Sequence, residues 1–78
     1  MVNMIENPGE ALLRIAARRG NIGASRDDLF RALKGGIPYS ELETLVQELE
    51  QIGYITIDWL GTYDFVITIT PEGMSQLT

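Results

Sequence analysis

Apolar residues recur along this chain at two different periods, helical in its first two thirds and alternating in the rest. Between Glu10 and Arg19, Leu12, Leu13, Ile15 and Ala16 fall on one side and Arg14 and Arg18 on the other, which predicts a first helix. Pro8-Gly9 opens it, since proline suits a first helical turn, and Gly20-Asn21 closes it, since both residues tolerate the left-handed conformation. Glu10 stands four residues before Arg14, the favourable order for a helical ion pair. Ile22-Gly23-Ala24 is long enough for no more than a strand bridge. Ser25 is placed to cap a second helix, with Asp28 three residues on in a box-like position. The stripe Leu29, Ala32 and Leu33, flanked by Phe30, is expected to be buried, and Asp27 and Arg31 are expected to pair outside it. Gly35-Gly36-Ile37-Pro38 is a turn that no helix runs through.

The third helix, about 40–52, has the cleanest periodicity: Leu42, Leu45, Val46, Leu49 and Ile52 share one face. Ser40 and Glu43 read as its capping box and Gly53 as its stop. The period then drops to two. Ile55, Ile57 and Trp59 alternate with Thr56 and Asp58, and Phe65, Ile67 and Ile69 alternate with Val66 and Thr68. β-Branched and aromatic residues in this pattern predict a half-buried hairpin, turning at Gly61-Thr62. Thr70-Pro71 starts a short last helix, with threonine as cap and proline as first residue, and Met74 and Leu77 fold back.

The predicted order is helix, bridge, helix, helix, hairpin, short helix. Three segments, Leu12-Leu13, Ser25 to Leu33, and Leu45-Val46-Gln47-Glu48-Leu49-Glu50-Gln51-Ile52-Gly53-Tyr54-Ile55, together with the ending Ile67-Thr68-Ile69-Thr70-Pro71-Glu72-Gly73, make the chain resemble the winged helix-turn-helix superfamily over nearly its whole length. The resemblance implies an α+β fold, mainly α: three helices, a small antiparallel hairpin wing and a short C-terminal helix. Residues 1–7 read as an N-terminal arm and 8–78 as one domain. In DNA-binding members of the superfamily the third helix enters the major groove.

Charge changes what that resemblance predicts. The 78 residues carry a net charge of -5, and it is unevenly spread. Residues 1–34 hold Arg14, Arg18, Arg19, Arg26, Arg31 and Lys34 against Glu6, Glu10, Asp27 and Asp28. Residues 35–78 hold no base and seven acids: Glu41, Glu43, Glu48, Glu50, Asp58, Asp64 and Glu72. The outward strip of the third helix is Thr44, Gln47 and Gln51, lined by Glu43 and Glu50 on one side and Glu41 and Glu48 on the other. Carboxylates entering a field of phosphates are repelled, each by about 1 kcal/mol per charge pair at contact in water. Gln47 and Gln51 could still read adenine edges if phosphates were anchored elsewhere. The wing tip reads Asp58-Trp59-Leu60-Gly61-Thr62-Tyr63-Asp64, aromatic and acidic where DNA-contacting wings carry bases. Trp59 either completes the core beneath the wing or joins Leu60 and Tyr63 in an exposed patch of the kind that anchors interfaces.

Catalytic chemistry finds few candidates. The chain has no His and no Cys, so the commonest general base, the thiol nucleophile and the usual zinc ligands are missing. Ser25 and Ser40 are accounted for as caps, and Asp58 and Asp64 on a two-stranded ribbon have no pocket to shift their titration. Gly35-Gly36 lacks phosphate-loop spacing. No cofactor, metal, small-molecule substrate or membrane span is expected, and the chain reads as cytoplasmic. The reading is a non-enzymatic interaction module of a regulatory or nucleic-acid-handling assembly, contacting protein through Glu41, Glu43, Thr44, Gln47, Glu48, Gln51, Trp59, Leu60 and Tyr63. Two alternatives stand beside it. One is a DNA-binding transcriptional regulator, monomeric or dimeric, whose Arg14, Arg18, Arg31 or Lys34 contact phosphates away from the third-helix face. The other is a structural homo-oligomer, in which the basic half of one copy docks on the acidic half of the next.

Overall fold

The computed structural model describes residues 8–33 and 36–78. Helix α1 (Pro8–Arg19) runs through a 3-10 turn (Gly20–Ile22) into strand β1 (Ala24–Ser25) and helix α2 (Arg26–Ala32). Helix α3 (Tyr39–Ile52) is followed by strands β2 (Ile55–Trp59) and β3 (Phe65–Ile69) and by helix α4 (Pro71–Ser75). The architecture is α+β, mainly helical with a small antiparallel sheet. The arm expected over 1–7, and Lys34 and Gly35 of the expected turn, lie outside the described residues.

Strand β3 is the centre of the sheet, whose order is β1-β3-β2. The bridge expected over Ile22-Gly23-Ala24 forms later in the chain: Ile22 ends the 3-10 turn, and the two-residue β1 pairs Ala24 with Ile67 and Ser25 with Val66. On the other edge, Ile55, Ile57 and Trp59 stand opposite Ile69, Ile67 and Phe65. The alternation of apolar residues therefore puts one face of the sheet against the helices. Leu12 and Ala16 from α1, Leu29 from α2, Leu42 and Val46 from α3, and Ile55, Phe65 and Ile67 from the hairpin are fully or almost fully buried there.

Asp28 organises the start of α2. Its backbone amide donates to the Ser25 hydroxyl at 3.1 Å, and its carboxylate accepts from the Ser25 amide at 3.0 Å, completing the predicted capping box. Arg19 and Arg31 approach the same carboxylate at 3.4 and 3.1 Å. The bond from the Ser25 amide chiefly, helped by the Ser25 hydroxyl and the two arginines and opposed by burial, holds the Asp28 carboxyl below its usual range.

Five local expectations are corrected. Arg31 pairs with Asp28, not Asp27, because the cap already presents Asp28 and residues three apart also adjoin on a helix; Asp27 turns to Arg26 at 3.2 Å. Ser40 is not a cap. Pro38, with φ -66° and ψ 156°, supplies the extended entry to α3, and the first helical bond runs from the Leu42 amide to the Pro38 carbonyl at 3.0 Å. Ser40 thus falls inside the first turn. Ala32 is exposed because α2 ends there, and Ile52 is 60% exposed because Leu49, a turn earlier, already closes the core. Met74 is likewise 46% exposed, while Leu77 packs against the core as expected.

Two glycines are required for different reasons, Gly53 by its backbone conformation and Gly73 by space. Gly53 ends α3 at φ +98°, with its amide and that of Tyr54 bonded back to the Leu49 carbonyl at 3.2 and 3.0 Å. Gly73, buried in α4, sits against the Tyr54 carbonyl, and a Cβ there would strike that oxygen and approach Ile69 Cγ1 to 2.8 Å. Gly73→Ala is expected to lower stability by about 2 kcal/mol in urea unfolding, the cost of overpacking against backbone that cannot retreat. Asp28→Asn tests the capping carboxylate. Because the folded carboxyl titrates lower than in the unfolded chain, its stabilisation is complete above the unfolded value of about 4 and is lost as pH falls through the folded value. The stability gap between wild type and Asp28→Asn should therefore be widest near neutrality and shrink below about pH 4.

Candidate interaction surface

Helix α3 buries Leu42, Val46 and Leu49, and this fixes what it shows to solvent. Thr44, Gln47 and Gln51 are exposed along the outer face, as are Glu41, Glu48 and Glu50; Glu43 is half-buried. Beside this face the hairpin rises, and a groove of about 360 Å³ runs between them, lined by Thr44, Gln47, Glu48, Glu50, Gln51 and Trp59. A second depression of about 350 Å³ lies on the other flank of α3 and takes in Pro8, Ile37, Ser40, Glu41 and Leu45. Thr44 and Glu48 line both, so they form the ridge between them.

Both expected fates of Trp59 are partly met. Its ring meets Phe65 edge-on, with centroids 5.2 Å apart and planes at 66°, yet the residue is 40% exposed and walls the groove. Leu60 and Tyr63 are 60% and 65% exposed but do not line that groove. The tip is instead tied toward the starts of α2 and α3. The Tyr63 carbonyl accepts from the Tyr39 hydroxyl at 2.8 Å and from Arg26 Nη1 at 3.4 Å. The Tyr63 ring meets Tyr39 edge-on, Tyr39 meets Phe30 in the same way, and the Arg26 guanidinium lies 5.5 Å from the centre of the Tyr39 ring. Sequence reasoning gave Arg26 and Tyr39 no role. The only signal was that each opens a helix directly after a non-helical residue, which says nothing of a partner 24 or 37 residues away.

The described bases do not meet these acids. Arg14 is bonded to Glu10 at 2.6 Å, as expected, and Arg31 is engaged by Asp28. Arg14 and Arg18 flank a small depression of about 230 Å³ with Ala11, Ile15, Ala32 and Leu33, between α1 and α2. Lys34 lies outside the described residues. The ion pairs found among the described residues, Arg14–Glu10, Arg19–Asp28, Arg26–Asp27 and Arg31–Asp28, all fall before α3. Glu41, Glu43, Glu48, Glu50, Asp58, Asp64 and Glu72 have no described base within ion-pair distance. Among the described residues, folding thus forms no ion pair between the two halves.

Asp58 stands opposite Val66 in the ladder, while the Asp64 carbonyl accepts from the Leu60 amide at 2.8 Å, so the register does not place the two aspartates opposite one another. Among the described residues no group of three or more His, Cys, Asp or Glu is gathered within metal-binding range, and no helix is long and apolar enough to cross a membrane. No protein-family model matches the chain, and neither a curated protein nor a solved structure matches it significantly.

The tie between Tyr39 and Tyr63 gives a direct test of the hairpin tip. Tyr39→Phe removes one exposed hydrogen bond, so global stability should fall by no more than about 1 kcal/mol. Amide exchange at Leu60 to Asp64 should quicken severalfold, because the loop loses an anchor that the ladder does not replace.

Proposed function

We propose that this chain is a non-enzymatic interaction module of the winged-helix type, serving a regulatory or nucleic-acid-handling assembly by docking a basic protein surface on α3 and the hairpin. The order of helices, the bridging strand β1 beside β3 and the hairpin after α3 support the winged-helix reading. One observation carries the functional reading: the carboxylates from Glu41 to Asp64 have no described cationic partner and are presented on α3 and the hairpin, the two elements that the fold type uses for contact. Exposed carboxylates add little to stability even when paired, so their one sign along a groove is better explained by what approaches it. Duplex DNA would bring phosphates to the same face and be repelled.

Arg18 supports a second reading. It is exposed, has no ion-pair partner among the described residues, and lies beside Arg14 at the α1–α2 depression. Phosphate contacts there would make the domain a DNA binder working through an unusual face.

A photo-crosslinking residue placed at Gln47 in the source cells separates the two. Protein adducts that survive nuclease and vanish with the pair Glu48→Lys and Glu50→Lys are the expected result. Nucleic-acid adducts, or duplex binding at low salt that weakens with Arg18→Glu and loses about one unit of salt slope, would instead establish the second reading.

A further inference from the structure

We propose that the groove between α3 and the end of β2 is a slot for an arginine side chain of a basic peptide segment, with the Trp59 indole as its platform and Glu48 and Glu50 as its counter-charges. This deepens the docking reading above and rests on it. The indole is held in place on one side by Phe65, its partner across the ladder, and remains 40% exposed where it walls the groove. An aromatic surface left open beside unpaired carboxylates suits a group that is both flat and cationic. A guanidinium is planar, weakly hydrated and able to stack on an indole while forking to a carboxylate; an ammonium is compact and strongly hydrated and does the first poorly.

The field at this end of α3 has the right sign as well. Glu48 and Glu50 lie in the last turn and a half of the helix, which holds no base and where the backbone carbonyls add partial negative charge. Thr44, Gln47 and Gln51 complete the lining with oxygens that accept the remaining guanidinium N–H groups. A purely apolar segment in the same place would strip water from two carboxylates and return nothing for it.

The probe is a fluorescein-labelled octapeptide of alternating Arg and Gly, compared with its Lys counterpart by polarisation at low salt. Binding should also shift the fluorescence of Trp59, the sole tryptophan of the chain. The arginine peptide should bind severalfold tighter than the lysine peptide, and Trp59→Ala should weaken it about tenfold. Trp59→Phe, which keeps an aromatic face, should restore much of the loss and controls for folding. The pair Glu48→Gln and Glu50→Gln should weaken both peptides.

If Trp59→Ala binds like wild type while the glutamate pair still weakens binding, the arginine slot is wrong and the broader docking reading survives. If neither change matters, both fall. Sedimentation of the free protein closes the remaining route: a dimer dispersed by either Trp59→Ala or Arg18→Glu would make a second copy the occupant and overturn the proposal.

Discussion

The Thr70 hydroxyl donates to the Gly53 carbonyl at 2.6 Å and accepts from the Gly73 amide at 3.1 Å, while the Thr70 amide donates to the Tyr54 carbonyl at 3.0 Å. One residue thereby ties the exit of α3, the entry of β2, the end of β3 and the first turn of α4. The register of the hairpin follows from this knot. Ile55 begins the ladder opposite Ile69, directly beyond it, and pairing residue by residue brings Trp59 to Phe65 at the far end. The distance between α3 and Trp59, and so the form of the groove, is set at the opposite end of the strands. Close packing of Gly73 on Tyr54 allows the knot no slack, since even a methyl group at that position meets backbone.

Electrostatics obeys a second constraint, which is local. Asp28 draws on both Arg19 and Arg31, and Arg26 takes Asp27, so most of the positive charge of the first half is engaged by acids of the same half. Nothing of this kind reaches α3. Its four glutamates nonetheless avoid one another: no two of Glu41, Glu43, Glu48 and Glu50 are three or four residues apart, the separations at which like charges adjoin on a helix. The helix therefore carries a high negative charge at small internal cost. Glu41 in the first turn even complements the helix dipole, whereas Glu48 and Glu50 toward the other end oppose it. The two carboxylates that the helix dipole opposes are thus the ones that line the groove with Trp59.

How much of this was legible from the residues divides along the range of the interactions involved. Element type and order follow from apolar period, and the caps at Ser25 and Thr70 follow from spacing alone, because each is satisfied within three residues. The same reasoning failed at Ser40. A serine three residues before Glu43 has the right spacing, but Pro38 had already opened the helix, and a rigid φ prevails over a side chain that has still to be ordered. Burial of Leu42, Val46 and Leu49 was legible; exposure of Ala32 and Ile52 was not, because a helical stripe does not tell where the core it faces comes to an end. For the surface, the acidic strip of α3 could be listed from periodicity, but its joining with Trp59, and the parting of Trp59 from Tyr63, depend on strand register and loop path.

That parting bears on how the surface works. A two-stranded hairpin on its own is marginally stable and free to sway about its base. Here Thr70 ties the base, β1 braces β3 at Ile67 and Val66, and the Tyr39 hydroxyl and Arg26 hold the Tyr63 carbonyl at the tip. Arg26 is committed to this purpose: Nη1 goes to Tyr63, Nη2 to Asp27, and the guanidinium lies over Tyr39, while its buried Nε has no hydrogen-bond partner. Giving up one donor to hold a loop costs on the order of 1 kcal/mol. The result is a hairpin secured at base and tip, so that Trp59 walls the groove beside α3 in a register set by the ladder. For the docking proposed above, a groove already formed would lose little entropy on being filled, and binding would not require the strands that hold the domain together to reorganise.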